Sequence, residues 1–324
     1  MIRRFISQRL KIELTHYLES NGANERFTVN FNLLRKEIIR VLNLKAKNQP
    51  VKAAPKKYAR NLWLITCLFG VIMLGAGCAS RDGKEYQKTF SIEPGTVLQI
   101  YNKNGDIDVS SWDRDYVEVA LKPNDWFTSF LKGFLKEPSI DVTEGNEFVI
   151  RTIYNTGLSK LIPVRYRISV PKEMLVTHVE TSIGKINVDN VSGDVDAKTS
   201  IGEIQIHKVN GFVKAVTNNG NIDITEVGGL YEVRNDIGGI SVEVPAIREN
   251  MEIRSQIGSV TVSLSSNIVA QLEASTSIGS IAYTDLPLTV SESAKTRLTG
   301  RLGEGSNRIK IENSVGSITL KKLL

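Results

Sequence analysis

The chain has 324 residues, of which 41% are hydrophobic, so it can form one large domain with an appendage or two modest domains. Its net charge of +6 comes from the N-terminus, since residues 1–60 hold 14 Lys or Arg and 4 Glu, and residues 61–324 hold the other 27 basic and 31 acidic residues. A mildly acidic body argues against nucleic acid as a partner, and two cysteines are too few for a disulfide framework or a cysteine zinc site.

Residues 1–60 are a basic N-terminal extension with two interpretations. Apolar residues recur at helical spacing from Ile2 to Leu18, which predicts a short cytoplasmic helix lying on anionic lipid. Alternatively, translation starts at Val51, which gives a leader of ordinary length ending at Gly77. In that case residues 1–50 are not translated, and a peptide from them found in cells would exclude the alternative.

An uncharged stretch, NLWLITCLFGVIMLGAGCAS, follows from Asn61 to Ser80. At about 1.5 Å per residue it can just cross a hydrocarbon core of about 30 Å. Residues 61–78 are therefore either a single transmembrane helix or the hydrophobic region of a signal peptide. Lys and Arg precede the stretch, which predicts that the body on its C-terminal side is exported.

The end of this stretch resembles a bacterial lipoprotein signal. In that signal a Leu and small residues precede a Cys, which is acylated and becomes the new N-terminus. LGAGC (Leu74–Cys78) has this order, with Leu four residues before the Cys instead of three. The resemblance implies lipidation of Cys78 and a membrane anchor in the cell envelope, with residues 79–86 as a linker. In the alternative, an uncleaved helix, Cys78 is a small apolar residue.

Glycine recurs in the body at intervals of nine residues. Ile stands directly before Gly184, Gly202 and Gly238, and Val stands two residues before Gly193, Gly211 and Gly229, so the repeat is 18 residues with two unlike corners. The motif TSIG and its variants recur later in the chain with looser spacing. The glycines concerned are Gly184, Gly193, Gly202, Gly211, Gly220, Gly229 and Gly238, and then Gly258, Gly279 and Gly316.

Apolar residues stand two and four positions after each glycine that follows Ile, as Ile204 and Ile206 do after Gly202. This alternation is typical of a strand with one buried face. The repeat predicts an all-β fold, a β-solenoid at residues 87–324 with coils of about 18 residues and two short strands per coil. The glycines would be structural corners, and small polar residues three positions earlier would form a ladder up the stack. Those residues are Thr181, Thr199, Thr217, Asn235, Ser255, Thr276 and Asn313.

Residues 88–322 resemble the bacterial DUF4097-type putative adhesin family. The resemblance rests on GTVLQIYNKNGDIDVSSWDRDYVEV, on ISVPKEM and on the Gly-x-Ile-x-Val repeats, and NGDIDV at Gly105 is an early copy of the motif. The family implies a β-solenoid on exported or membrane-linked proteins and brings no catalytic residues with it.

One segment at residues 123–138, PNDWFTSFLKGFLKEP, interrupts the strand pattern and is bounded by prolines. Its apolar residues are spaced as on one face of a helix, which predicts an inserted amphipathic helix. This helix either packs on the solenoid or offers an apolar patch to a partner or the bilayer. The patch residues are Trp126, Phe127, Phe130, Leu131 and Phe134.

Residues that could carry chemistry are sparse, and we expect no enzyme, cofactor or metal site. His178 and His207 lack ligands at metal spacing, and SGDVDA and NGNIDI lack the Gly–Asp spacing of calcium-binding rolls. The acidic residues beside turns are typical of caps. Those that a carbohydrate-active enzyme would use are Asp106, Asp108, Asp113, Asp115, Asp194 and Asp196.

Two classes of function remain open. The first is a membrane-anchored binding, adhesin-like or sensing module of the cell envelope, with an envelope protein or polysaccharide as partner. The second is a self-assembling scaffold, since the coil length resembles that of the bactofilin-like proteins, whose filaments are cytoplasmic. The export segment favours the first. In addition, Lys321 and Lys322 would protect an exposed last strand against edge pairing.

Overall fold

The computed structural model describes residues 87–93, 95–121, 138–156 and 158–323, which belong to one unit, Gly83–Leu324. The predicted N-terminal extension, the export segment with Cys78 and the patch from Trp126 to Phe134 lie outside the described residues. Within the described part, no helix is long and apolar enough to cross a membrane.

The described residues form 21 β-strands and one short 3-10 helix, Leu158–Leu161, so the predicted all-β class is confirmed. The strands are β1 (Gln87–Ser91), β2 (Val97–Tyr101), β3 (Ile107–Trp112), β4 (Tyr116–Leu121), β5 (Ser139–Thr143), β6 (Glu147–Ile153), β7 (Tyr166–Pro171), β8 (Leu175–Glu180), β9 (Ile186–Ser192), β10 (Val195–Lys198), β11 (Ile204–Asn219), β12 (Ile222–Ile237), β13 (Ile240–Val244), β14 (Met251–Ile257), β15 (Val260–Leu264), β16 (Ala270–Ile278), β17 (Ile281–Thr284), β18 (Leu288–Ala294), β19 (Arg297–Leu302), β20 (Arg308–Val315) and β21 (Ile318–Lys322).

The coils are 18 residues long where the sequence repeat is regular. Ile186 pairs with Ile204, Ile204 with Ile222 and Ile222 with Ile240, all in parallel register. The strands belong to one 21-stranded sheet, in which each coil contributes to two ladders of parallel pairing, here called the two sheets. Apolar side chains from both ladders form one buried cluster. The β-solenoid that the repeat predicts is therefore confirmed.

The two corners of a coil differ. At the glycine corner, defined by Gly105, Gly184 and their equivalents, the chain makes a tight turn between two strands. At the opposite corner, β11 and β12 continue without a break as strands of 16 residues that bend between the sheets. Six strand residues separate the corners, so they lie about 20 Å apart.

We call the pair of strands at one level of the stack a rung. At both ends of the stack, the order of the rungs in space differs from their order in the sequence. The β20–β21 rung lies between β14–β15 and β16–β17, although it follows both in the chain. Similarly, β2 lies between β6 and β8, and β3 lies between β7 and β9.

This order corrects one expectation about the C-terminus. Lys321 and Lys322 are in β21, which has parallel neighbours on both sides, so they do not protect an exposed last strand. The insertion also places the final strands of the chain among the buried apolar residues, with Ile309, Ile311, Ile318 and Leu320 fully buried.

Antiparallel strands cover most of the stack's two ends. At the first end β5 pairs with β6, and β4 pairs with both β7 and β1. At the other end β19 pairs with β16 and β18. Of the terminal parallel strands in the described part, β17 has only one strand neighbour, β21.

Candidate functional site

The glycine corner is a column of glycines stacked rung on rung. A Cβ on Gly202 would overlap the carbonyl oxygen of Gly184, and a Cβ on Gly184 would overlap that of Gly105. Both residues have positive φ, as do the other glycines of the column except Gly220, so most of these positions combine a backbone conformation and a close approach that other residues do not tolerate. In stack order the column is Gly105, Gly184, Gly202, Gly220, Gly238, Gly258, Gly316 and Gly279.

A buried polar ladder lies inside this column. Thr199 Oγ1 donates a hydrogen bond to the Gly184 carbonyl at 3.1 Å, and Thr217 Oγ1 donates one to Gly202 at 3.1 Å. Asn313 Nδ2 does the same to Gly258 at 2.8 Å. The carbonyl oxygens of the corner glycines can accept hydrogen bonds beyond those of strand pairing. The side chains of the ladder donate these bonds, so the buried carbonyl groups beside the core have partners.

An exposed line of aliphatic side chains runs along the outside of the same corner. Each residue directly precedes a glycine of the column, and neighbours pair from rung to rung. Their side chains are 40% to 67% exposed. We call this line the aliphatic ridge, which consists of Ile183, Ile201, Ile237, Ile257, Val315 and Ile278 in stack order.

The ridge has an interrupted half and a continuous half. Asn104 and Asn219 take its place on two rungs, whereas Ile237, Ile257, Val315 and Ile278 follow each other without a break. Neutral residues, most of them small, flank this continuous half, namely Gly239, Gln256, Ser259, Ser277, Ser280, Ser314 and Ser317. Asp236 also flanks it, held by Gln256 at 2.7 Å and Arg234 at 3.7 Å.

The opposite corner carries a recurring left-handed residue. Asn190, Lys208 and Glu226 have φ of 55°, 55° and 53°, and they lie 18 residues apart in the chain. We call this the bulge corner. Left-handed φ is unusual for Lys and Glu, and here it bends the strand between the two sheets.

The glycines predicted for this corner take different positions. A Cβ on Gly211 would overlap the Gly193 carbonyl, and the next glycine in that column is Gly228. A register shift between Val209 and Phe212 moves Gly229 out of the column and against the Phe212 ring.

A shallow polar groove of about 400 Å³ follows the bulge corner. Its lining repeats from rung to rung: Lys172, Asn190, Val191, Ser192, Lys208, Val209, Asn210, Glu226, Val227 and Gly228. We call it the polar groove. The valines are buried, so the side chains of the polar and charged residues, including their aliphatic parts, form its accessible surface.

An aromatic cluster lies at one end of the polar groove. Lys172 Nζ is 2.5 Å from Asp113 Oδ1, and this hydrogen bond raises the pKa of the lysine. Next to Asp113, the Trp112 and Tyr116 rings meet edge to face at 5.0 Å, and the Arg114 guanidinium lies 4.6 Å from the Trp112 ring centre. Aromatic surface therefore adjoins the amides and charges of the groove.

The acidic residues that an enzyme would use are engaged in the corners. Asp194 accepts hydrogen bonds from the Phe212 amide at 2.7 Å and Tyr231 at 3.2 Å, and it pairs with Arg248 at 3.2 Å. Asp106 accepts from the Lys185 amide at 2.9 Å and faces Arg165 at 3.8 Å.

The other acidic candidates are dispersed. Asp113 pairs with Lys172, as described above, Asp196 lies 3.8 Å from His178, and Asp115 is exposed at a bend. Asp108 lies in β3 and is also engaged with a partner.

The two histidines of the body have acidic neighbours that the sequence spacing did not indicate. His178 is 3.2 Å from Glu180 and 3.8 Å from Asp196, and it packs against Tyr101 with ring centres 4.9 Å apart. His207 is 3.0 Å from Thr225 and 3.8 Å from Glu226. In the described part of the chain, no group of three or more His, Cys, Asp or Glu residues could hold a metal ion.

A network of ion pairs covers one sheet face beside a second depression, of about 340 Å³. Lys310 lies 2.7 Å from Glu312, and Arg254 lies 2.6 Å from Glu252 and 2.8 Å from Glu312. The hydrogen bond from Lys310 is the main reason that the pKa of Glu312 is lowered. The charges balance, so this surface offers a weaker attraction for a charged ligand than the isolated groups would.

Comparison of this chain with solved structures gives several matches, of which three are described here. A putative cell adhesion protein from Clostridium sporogenes ATCC 15579 matches with 13% identity and a TM-score of 0.33, covering 74% of this chain and 100% of its own. A putative adhesin from Bacteroides fragilis NCTC 9343 has 12% identity, a TM-score of 0.39 and coverage of 76% and 100%. A putative lipid binding protein from Parabacteroides distasonis ATCC 8503 has 12% identity, a TM-score of 0.23 and coverage of 75% and 98%.

These similarities are too distant to assign a function to this chain. Comparison with the curated proteins gives no match. The family comparison is more specific, since residues 177–321 match the family described as Toastrack DUF4097. The match spans the glycine column from Gly184 onward and leaves out the Gly105 rung, which stacks on the same column. Residues 177–321 therefore match the Toastrack DUF4097 family, and the predicted DUF4097-type resemblance is confirmed over these residues.

Proposed function

We propose that the protein is a non-enzymatic binding module, anchored to a membrane and displayed on the exported side of a bacterial cell envelope. The Toastrack domain supports an adhesin-like module, and the uncharged segment before it supports export and anchoring. The partner is an envelope protein or a polysaccharide, and the module takes part in attachment or sensing.

The polar groove is the observation that carries the binding proposal. Its polar positions recur on successive rungs about every 4.8 Å, although the group changes from rung to rung, as in Asn190, Lys208 and Glu226. An extended partner that lies along the groove can contact polar groups on several rungs, and several weak contacts then act together. This favours a polysaccharide chain over a compact protein.

The engagement of the acidic candidates supports a non-enzymatic role. A glycoside hydrolase needs two carboxyl groups that face each other across the bond to be cleaved. Asp194 and Asp106 instead hold backbone amides and arginines at separate corners. Both are explained as structural residues.

The self-assembling scaffold receives less support from the ends of the stack. Rung-on-rung polymerisation needs an open parallel strand in both sheets at both ends. Antiparallel strands β5, β4 and β19 occupy three of these four positions. The geometry therefore favours a discrete module.

A paired substitution in the polar groove tests the binding proposal. Lys208→Asn with Glu226→Asn removes both charges and keeps a residue type that tolerates left-handed φ. We expect binding to the polysaccharide fraction of the cell's own envelope to weaken at least tenfold, with an unchanged thermal unfolding midpoint.

Lys198→Asn is the matched control, because Lys198 is an exposed lysine outside the groove. The control is expected to bind as the unmodified protein does. Equal binding by all three proteins would contradict the assignment, and binding only to the protein fraction would replace the polysaccharide by a protein partner.

The mode of anchoring is tested at Cys78. In the lipoprotein interpretation, Cys78→Ala abolishes the incorporation of labelled fatty acid and leaves an uncleaved precursor. If the segment is a transmembrane helix, neither labelling nor length differs between the two proteins.

A further inference from the structure

The aliphatic ridge is a feature that the polar groove does not explain. Isoleucines at these positions are half exposed, although a polar residue would suit an exposed corner and Asn already occupies it on two rungs. Exposed aliphatic residues scattered singly are ordinary, but a continuous line of them marks an interaction surface. The continuous half, from Ile237 to Ile278, spans three rung spacings, or about 14 Å, and the whole ridge from Ile183 spans six, or about 29 Å.

The N-terminus of the described chain reaches the stack at the same corner. In β1, Gln87 pairs with Ala120, Ala120 pairs with Arg167, and Arg167 pairs with Asp108. Asp108 is three residues from Gly105, so the chain enters on the glycine side. The linker of residues 79–86 can extend over at most about 29 Å, so the point of entry stays within about that distance of Cys78.

The segment between β4 and β5 leaves and returns at this corner as well. Leu121, the last residue of β4, pairs with Tyr166, which in turn pairs with Ile107 beside Gly105. Ser139, the first residue of β5, pairs with Ile153, on the other side of the same corner. The ridge, the chain entry and both ends of this segment therefore lie on the same side of the stack, with the entry and the segment at the first end and the continuous half of the ridge towards the other.

We propose that the aliphatic ridge lies against the lipid bilayer that anchors the protein. This inference rests on the anchoring in the proposed function and adds the orientation of the stack. The ridge side chains enter the interfacial region of the bilayer, with the stack axis along the membrane plane. The polar groove, about 20 Å away at the bulge corner, then faces outward.

A second copy of the chain fits the ridge less well. Six half-exposed aliphatic side chains in a single line offer roughly 200–400 Å² of apolar surface. A stable protein interface needs about 800 Å² per partner with complementary shape. A bilayer requires no such complementarity, and a single anchor leaves the body free to rotate until its apolar line meets the membrane.

Fluorescence quenching in vesicles tests this orientation. The protein is reconstituted in phosphatidylcholine–phosphatidylglycerol vesicles, either as the mature form that begins at acylated Cys78 or as the uncleaved chain with Cys67 and Cys78 changed to Ser. A polarity-sensitive fluorophore is attached at Ile237→Cys on the ridge or, as a matched control, at Asn210→Cys in the groove. Ile257→Cys provides a second ridge position if the first substitution disturbs folding.

Brominated lipids are expected to quench the ridge label at least fivefold more than the groove label, and aqueous iodide should do the reverse. A ridge label fully accessible to iodide would overturn the proposal. So would a label protected from both quenchers, because protein would then cover the ridge.

Flotation of the same vesicles separates this inference from the proposed function. If the chain does not float with the vesicles, the anchoring itself is wrong. If it floats and the ridge label remains in water, only the orientation is wrong.

Discussion

At the scale of single residues, the most demanding position is the stacked glycine. The column brings carbonyl oxygens of one rung against the Cα of the next, so the missing side chain decides whether rungs can approach. The threonine and asparagine ladder then supplies the donors that those carbonyls need. In the motif TSIG, Thr is thus the buried hydrogen-bond donor, Ile is the exposed aliphatic residue and Gly is the stacked glycine.

Gly202→Ala tests the role of close stacking. Gly202 and Gly145 share a φ of 154°, but a Cβ on Gly145 meets nothing within 4 Å, whereas one on Gly202 meets backbone. We expect Gly145→Ala to lower the free energy of unfolding by about 1–3 kcal/mol through backbone strain, and Gly202→Ala to exceed about 4 kcal/mol. Denaturant unfolding measures both, and equal losses would show that φ alone accounts for the glycine.

Tyr154 gives a residue-scale prediction about pH. Its hydroxyl lies 3.1 Å from Asn102 Oδ1 and 3.2 Å from the Asn104 amide, and burial raises its pKa to about 12. The unfolded tyrosine ionises near its usual value of about 10, so the unfolded state loses this proton first. Stability is therefore expected to fall as the pH rises from about 10 towards 12.

Tyr154→Phe is the control for this effect. The variant loses hydrogen bonds and should be less stable at neutral pH by about 1–3 kcal/mol, but its stability should fall less steeply above pH 10. Thermal unfolding midpoints from pH 9 to 11 provide the comparison. Parallel curves for the two proteins would contradict the assignment.

At the scale of elements, the 18-residue repeat was predictable and the order of rungs was not. Alternation after each glycine, as in Ile222 and Ile224, defines a strand with one buried face irrespective of its neighbours. Rungs with the same sequence motif, however, have the same glycine and the same buried aliphatic side chains. Several rungs could therefore fit at the same position in the stack. Only long-range pairing puts the Val315–Gly316 rung between those of Gly258 and Gly279.

The surfaces at the corners were also hidden from sequence reasoning. Ile201 and Ile204 both appear apolar and inward in the repeat, but the turn at Gly202 breaks the alternation and exposes Ile201. Likewise, nothing in the residue types of Lys208 and Glu226 indicates left-handed φ. The polar groove therefore could not be located before the fold was known.

Engineered disulfides test the inserted rung. The Ser280 and Ser317 hydroxyls are 3.4 Å apart on adjacent rungs, whereas Ser259 and Ser280 are separated by the inserted rung, about 10 Å. With both native cysteines replaced, Ser280→Cys with Ser317→Cys is expected to form a disulfide readily. Ser259→Cys with Ser280→Cys should remain reduced, because its Cα separation exceeds about 7 Å.

Mass mapping after mild oxidation reads out both pairs. A disulfide in the second pair and none in the first would mean that the rungs follow sequence order.

At the scale of the whole molecule, the two corners have opposite characters. The glycine corner carries the aliphatic ridge, the point where the chain enters and both ends of the segment between β4 and β5. The bulge corner carries the polar groove. We infer that the first side serves attachment and that the second serves recognition.

Protease treatment of intact spheroplasts tests most directly whether the solenoid is an exported, membrane-anchored module. The body is expected to sediment with membranes and to be cleaved by added protease while a cytoplasmic marker stays intact. Recovery of the body in the soluble cytoplasmic fraction, protected until the cells are lysed, would contradict both the export and the anchoring.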